Sequence, residues 1–263
     1  MAVKGLGRGA LIVAGVAMLG CGAVAQDAKS PVAAPAAAAP RPAGGYLAPA
    51  LLPDSLSIVG APPAPDSDQA RADRAAFDAS RSLEGSPRWS QAIADVELFG
   101  DKAHRSFACA IGKEISVAKT PVLSKLLDRL VLDAGGSTSA AKKKYQRDRP
   151  MIGHDEARIC VVREEWMKTN GSYPSGHAAA GMAWGLVLAE LAPDKASAAV
   201  TRGREFGDSR WICGVHFQSD VSAGQVMAAA TVARLHAEPA FTADMALAKA
   251  ELDKAPAPEG CGS

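Results

Sequence analysis

Two stretches, Ala178 to Leu191 and Val221 to Leu235, carry Ala, Gly, Met and other apolar residues on nearly every side. A helix without a polar face has to be surrounded by protein, so both are expected at the centre of a bundle. Neither reaches the roughly twenty apolar residues that a bilayer-crossing helix needs. Other helix signals surround them. Ser86-Pro87 reads as an N-cap and first-turn proline opening a helix through about Leu98. Thr120-Pro121 repeats the device before Val122, Leu123, Leu126, Leu127, Leu130 and Val131, one helical stripe that Gly135-Gly136 is expected to end. Asp194 is expected to cap a helix running towards Arg210. No run alternates with period two, so the expected fold is all-α, a single-domain helical bundle.

Before the bundle, Lys4 and Arg8 precede an apolar run from Ala10 to Leu19, then Ala23-Val24-Ala25. That order marks residues 1–25 as a secretory signal peptide, with export to the periplasm. The alternative is a lipoprotein site, Met18-Leu19-Gly20-Cys21, anchoring the chain by a lipid on Cys21. Residues 26–45 are rich in Ala and Pro and read as an extended tether. Residues 46–263 then form one domain, long enough for a single hydrophobic core. With 29 basic and 28 acidic residues the chain lacks the basic excess of a nucleic-acid binder, so no nucleic-acid partner is expected. Cys109, Cys160, Cys213 and Cys261 remain after Cys21; in an exported chain they read as two disulfides, and spacing alone allows three connectivities.

Three segments bear chemistry, and each has a plain structural reading. Lys142-Lys143-Lys144-Tyr145-Gln146-Arg147-Asp148-Arg149-Pro150 alone is a solvated basic helix end. Gly171-Ser172-Tyr173-Pro174-Ser175-Gly176-His177 alone is a capped helix start, although such a junction also aims backbone N–H groups at an anion. In Ser209-Arg210 to His216 and Asp220, a carboxylate follows a histidine by one helical turn, the spacing that holds an imidazole.

Taken together, these segments resemble the signature of the type-2 phosphatidic acid phosphatase superfamily, which includes the vanadium-dependent haloperoxidases: Lys-x6-Arg-Pro, Pro-Ser-Gly-His and Ser-Arg-x5-His-x3-Asp. No signature residue is missing. Within it the chain looks most like the class A bacterial nonspecific acid phosphatases, through Asn170-Gly171-Ser172-Tyr173, Ile212-Cys213-Gly214 and Gln218-Ser219-Asp220. The resemblance covers Tyr46 to Lys254. It implies a helical fold of the acid phosphatase/haloperoxidase type, hydrolysis of small phosphomonoesters through a phosphohistidine, phosphate passing to water or another alcohol, and a homodimer or larger assembly. Catalytic candidates are then His216 as nucleophile, His177 as acid and base, and Asp220 as the partner that orients and stabilises His216. Lys142, Arg149, Arg210, Ser175 and Gly176 are the phosphate-binding candidates. Three cations and backbone N–H groups suffice to neutralise a phosphoryl group, whose transition state spreads charge over three oxygens. No metal-ligand spacing occurs, and no metal or cofactor is expected.

Because the second and third segments must converge on one phosphate, Cys160 is expected to pair with Cys213, leaving Cys109 for Cys261. His104, His154 and His236 read as surface or packing residues, the four tryptophans as core, and Arg147 and Asp148 as parts of the first segment's helix. Two other functions share part of this pattern. A haloperoxidase shares the oxyanion site, but those chains are much longer. A non-catalytic phosphate-binding protein needs neither His177 nor His216.

Overall fold

The computed structural model describes residues 44–261. The expected signal peptide, the Cys21 alternative and the tether through residue 43 lie outside the described residues. All regular structure among the described residues is helical: α1 (Ser55–Val59), α2 (Asp68–Ser80), α3 (Pro87–Ala94), α4 (Gly100–Ile111), α5 (Pro121–Ser137), α6 (Ser139–Tyr145), α7 (Trp166–Thr169), α8 (Gly176–Leu191), α9 (Ala196–Ile212), α10 (Gln218–Leu235) and α11 (Pro239–Lys254). No described helix is long and apolar enough to cross a membrane.

Helix α8 is the axis of the bundle, wrapped by α5, α9 and α10. Its side chains Ala183, Trp184, Val187 and Leu188 are fully buried, and only Glu190 is exposed along its length. Trp184 meets the rings of Phe107 and Phe206. Its indole N–H donates to the Leu127 carbonyl at 2.8 Å, so the buried polar atom is satisfied. His104 is buried edge-on to Trp184 and 3.2 Å from Asp128, a packing residue. Helix α10 differs from expectation. Ser222, Val226 and Ala229 are exposed, so it covers the bundle on one side. Alanine is tolerated on either side of a surface, which is why composition did not separate the two helices.

Helices α8 and α9 cross with their backbones nearly touching. A Cβ on Gly203 would lie 2.8 Å from the Gly181 carbonyl oxygen and 3.2 Å from the Gly185 Cα. Neither neighbour is a flexible side-chain end. The crossing therefore depends on glycine, and it sets where the N-terminal end of α8 stands relative to the C-terminal end of α9.

Three helix boundaries depart from the sequence reading. Helix α3 starts on its Ser86 cap but stops at Ala94, because Asp95 turns into a buried cluster. Gly135-Gly136 lies inside α5, which continues to Ser137; both glycines border the cavity described below. Asp194 sits in a 3-10 turn, and α9 begins after Lys195 without a side-chain cap. The disulfides join Cys160 to Cys213 and Cys109 to Cys261, with Cα separations of 4.8 and 5.5 Å. The first ties the connection after Pro150 to the end of α9. The second pins the C-terminal tail to α4, beside the Arg105 donation to the Glu259 carbonyl.

Gly203→Ala is expected to lower stability by about 1–3 kcal/mol through overpacking. Chemical denaturation checks this, and an unchanged midpoint would show that the helices can separate at no cost.

Candidate active site

A cavity of about 770 Å³ opens at the N-terminal end of α8. Its polar end is lined by Lys142, Arg149, Gly176, His177, Arg210 and His216, so the structure brings the three sequence segments to one place. Its other walls are largely apolar, with Leu98, Val131, Trp166 and Met167 among them. The volume falls within the roughly 300–1,000 Å³ typical of small-molecule sites.

His216 lies just before α10, whose first turn carries Asp220. Nη1 of Arg149 is 3.1 Å from Nε2 of His216. A guanidinium can only donate, so Nε2 accepts and carries a lone pair, which puts the ring proton on Nδ1. On that side Asp220 Oδ2 stands 3.5 Å away, longer than a normal hydrogen bond. Ser172 fills the gap: its Oγ is 3.3 Å from Nδ1 and donates to Asp220 Oδ2 in a short contact. Asp220 Oδ2 also accepts from the Phe217 N–H at 2.8 Å, which completes the start of α10. Asp220 Oδ1 accepts from Arg147 Nη1 at 2.6 Å.

His177 sits in the first turn of α8 with its ring stacked on Phe206. Its Nε2 is 2.6 Å from the Asp95 carbonyl oxygen and donates to it, leaving Nδ1 without a proton in the neutral ring. The same short segment holds Arg210, which donates to the Ala92 carbonyl at 2.5 Å. The Asp95 carboxylate is buried and spent on Arg202 and on the Ser209 hydroxyl, the latter at 2.6 Å. This is why α3 breaks at Asp95: its end serves both His177 and the base of α9.

The electrostatics favour an anion. Burial, then Arg149, brings the Lys142 ammonium down to about 7, against the pull of Asp220. Burial brings the Arg149 and Arg210 guanidiniums down to about 10. Nε of Arg149 and Nε of Arg210 are buried without a hydrogen-bond partner. Such orphaned donors are rare in folded proteins and call for a ligand or solvent. Burial, then Arg149, pushes His216 down to about 3, opposed by Asp220. Burial and then Arg210 push His177 well below the usual histidine range. Burial raises the Asp220 carboxyl, but His216, Arg147 and Ser172 outweigh it and bring it down to about 2.

Ser175 is placed differently from the motif's suggestion. It is buried away from the cavity, its Oγ caps α8 by accepting from Ala178 N at 3.2 Å, and its N–H donates to the Asp220 carbonyl at 2.9 Å. Gly176 and His177 instead offer the first N–H groups of α8, which have no acceptor inside the helix. Trp166 is not core: it is 46% exposed, in the cavity wall, with Arg149 against its ring. Lys143 and Lys144 are the solvated helix end that charge patterning suggested. Arg147, Ser172, Asp73 and Asp95 were not singled out by the sequence reading. Ser172 and Arg147 lay within the quoted motifs, whereas Asp73 and Asp95 gave no local signal.

A helical bundle that gathers two histidines and three cations from these three segments belongs to the PAP2 superfamily, whose pattern matches residues 123–239. The chain is 40% identical over 194 residues to the non-specific acid phosphatase of Salmonella typhimurium, covering 73% of this chain and 77% of that one. It is 38% identical over 203 residues to the acid phosphatase of Zymomonas mobilis, covering 77% and 76%. The non-specific acid phosphatase of Providencia stuartii is 38% identical over 202 residues, covering 76% and 82%. The chain is thus a member of the bacterial non-specific acid phosphatase family, a phosphoric monoester hydrolase.

The depressed histidines make stability depend on pH. An unfolded chain takes up protons near 6.5, whereas the folded site resists them down to about 3 for His216. The unfolded state therefore binds more protons in that window, so stability falls as pH drops from 6.5, by about 2 kcal/mol at pH 5 for His216, with His177 acting in the same direction. Thermal melts at pH 5 and 7 check this. The His177→Ala, His216→Ala double variant is expected to show a smaller difference between the two pH values than the native chain, and an equal difference would contradict the assignment.

Proposed function

We propose that the chain hydrolyses small phosphomonoesters without a metal ion, through a phosphohistidine on Nε2 of His216. The observation that carries this reading is the Arg149–His216 contact, which leaves the imidazole lone pair on Nε2, among the cavity-lining cations Lys142, Arg149 and Arg210. Simple anion binding would need the cations but no lone pair among them.

In the first half-reaction Arg149 Nη1 turns from Nε2 to a phosphoryl oxygen, the freed Nε2 lone pair forms a bond to phosphorus, and the bond from phosphorus to the ester oxygen breaks. His177 gives its Nδ1 proton to the departing oxygen. The bound phosphoryl group supplies the negative charge that lets Nδ1 hold this proton despite burial and Arg210. Lys142, Arg149, Arg210 and the N–H groups of Gly176 and His177 take up charge on the phosphoryl oxygens. Asp220, with Ser172 between it and Nδ1, keeps the ring in the reactive tautomer and stabilises the cationic ring of the phosphohistidine. In the second half-reaction His177 Nδ1 accepts a proton from water, whose oxygen bonds to phosphorus as the P–N bond breaks. A second alcohol in place of water completes a phosphotransfer, and the apolar wall with Trp166 suits the carbon skeleton of either alcohol. Two disulfides and the leader pattern support a periplasmic location, with lipidation at Cys21 as the alternative.

His216→Ala is expected to abolish turnover. His177→Ala is expected to keep forming phosphoenzyme from p-nitrophenyl phosphate, whose leaving group needs little acid, and to lose about 10²–10⁴-fold on alkyl phosphates. Rapid-quench labelling checks both, and labelled phosphate on the His216→Ala protein would sink the nucleophile assignment. Activity is expected to persist in EDTA and to be inhibited competitively by vanadate, a transition-state mimic. Chelator-sensitive activity restored by a divalent ion would refute the metal-free reading.

A further inference from the structure

We propose that Arg147 is a positioning residue, clamped between Asp73 and Asp220, that fixes the carboxylate behind His216, and that Asp73 on α2 tunes the clamp from outside the three signature segments. This inference rests on the phosphohistidine reading.

Arg147 follows the end of α6, where Gln146 adopts a left-handed conformation and turns the chain. Its side chain is 13% exposed and borders no part of the cavity, so it is not a phosphate ligand. Nη1 donates to Asp220 Oδ1 at 2.6 Å and to Ser219 Oγ at 2.8 Å. Nη2 donates to Asp73 Oδ2 at 2.9 Å. The guanidinium lies over the Phe217 ring, with its carbon 4.3 Å from the centroid. Its own carbonyl accepts from the Ser172 N–H at 2.7 Å. Arg147 thus places both groups behind Nδ1 of His216: Asp220 by its side chain and Ser172 by its backbone.

Asp73 is fully buried. It accepts from the Ser219 N–H at 3.0 Å and from the Ser219 hydroxyl, so α2 is bonded to the first turn of α10. The charge pattern follows. Asp220 faces His216 and Arg147, with Lys142 and Tyr173 acting on it from farther off, and Arg149 touches His216 at Nε2. A carboxylate backing a nucleophile in an acid-active enzyme has to stay ionised at low pH, and a bonded guanidinium achieves this. An uncompensated guanidinium would also weaken the pull of Asp220 on the imidazole. Asp73 cancels that charge, and Asp73, Arg147 and Asp220 together present one net negative charge to His216. Removing Arg147 and removing the Asp73 charge should therefore move the titration of the His216–Asp220 pair in opposite directions.

The test is kcat/KM against pH for p-nitrophenyl phosphate, from pH 2.5 to 7, in the native chain, Arg147→Met, Arg147→Lys, Asp73→Asn and His216→Ala, with the inhibition constant of inorganic phosphate and a thermal melt for each. Substrate ionisation is common to all. Arg147→Met is expected to raise the acid limb by about one pH unit, and Arg147→Lys to restore part of the shift. Asp73→Asn is expected to lower kcat several-fold and to move the limb below that of the native chain, and a limb moved upwards would overturn the role given to Asp73. Phosphate inhibition should stay within about twofold throughout. Acid limbs that coincide in all folded variants, with only the melting temperature reduced, would make Arg147 a structural residue and overturn the proposal. Weakened phosphate inhibition with an unmoved limb would overturn it in favour of a ligand role. Should Arg147→Met fail to fold, the limbs of Arg147→Lys and Asp73→Asn decide. Activity in His216→Ala would instead bring down the phosphohistidine reading, whatever the Arg147 variants do.

Discussion

Burying positive charge without a matching counter-charge is the constraint on which this structure turns. Lys142, Arg149 and Arg210 share one cavity, and desolvation lowers all three. Removing ions from water costs several kcal/mol each unless they are paired. Here the pairing is incomplete: Nε of both guanidiniums is orphaned, while the Asp220 carboxylate stands behind His216 and the Asp95 carboxylate is bonded to Arg202 and Ser209. An oxyanion entering the cavity supplies what is missing. The glycine crossing of α8 and α9 and the Cys160–Cys213 bridge fix the end of α9 that carries Arg210.

The two histidines are supported in parallel but with different chemistry. Each ring gives one N–H to the protein and turns the other nitrogen towards the cavity. His216 is backed by an ionised carboxylate through Ser172, whereas His177 is backed by a neutral backbone carbonyl. A carboxylate stabilises a cationic ring far more than a carbonyl does. The proposed nucleophile therefore tolerates the charge that a bonded phosphoryl group brings, and the proposed acid surrenders its proton readily. Exchanging the two backings would suit neither role.

Local signals explain what the sequence disclosed. Resemblance to a signature of three ordered segments, each with fixed internal spacing, pointed to Lys142, Arg149, Arg210, His177, His216 and Asp220, and the structure places all six at one end of α8. Ser86 and Pro121 marked helix starts because capping is settled within one turn. Ser175 shows the limit of a motif: its hydroxyl and its N–H are each engaged in shaping the site rather than facing it. Asp95 was hidden because its role depends on Arg202 and Ser209, more than a hundred residues away. Arg147 looked like one more charge on a basic helix end, since nothing local revealed the carboxylate 73 residues on.

The hidden residues share a location, and that location carries an argument. Asp73 and Asp95 come from α2 and α3, before the stretch that matches the superfamily pattern. The cavity itself has to remain positive to attract phosphate, so its counter-charges have to sit behind the walls, on elements that pack against the catalytic segments from outside. Helix α2 reaches His216 through Arg147 and Asp220; the end of α3 reaches His177 through the Asp95 carbonyl and Arg210 through the Ala92 carbonyl. Docking of these two helices onto the bundle therefore finishes the electrostatics of the site as well as the core: the signature segments alone would leave His177 without its carbonyl acceptor and Arg147 without Asp73.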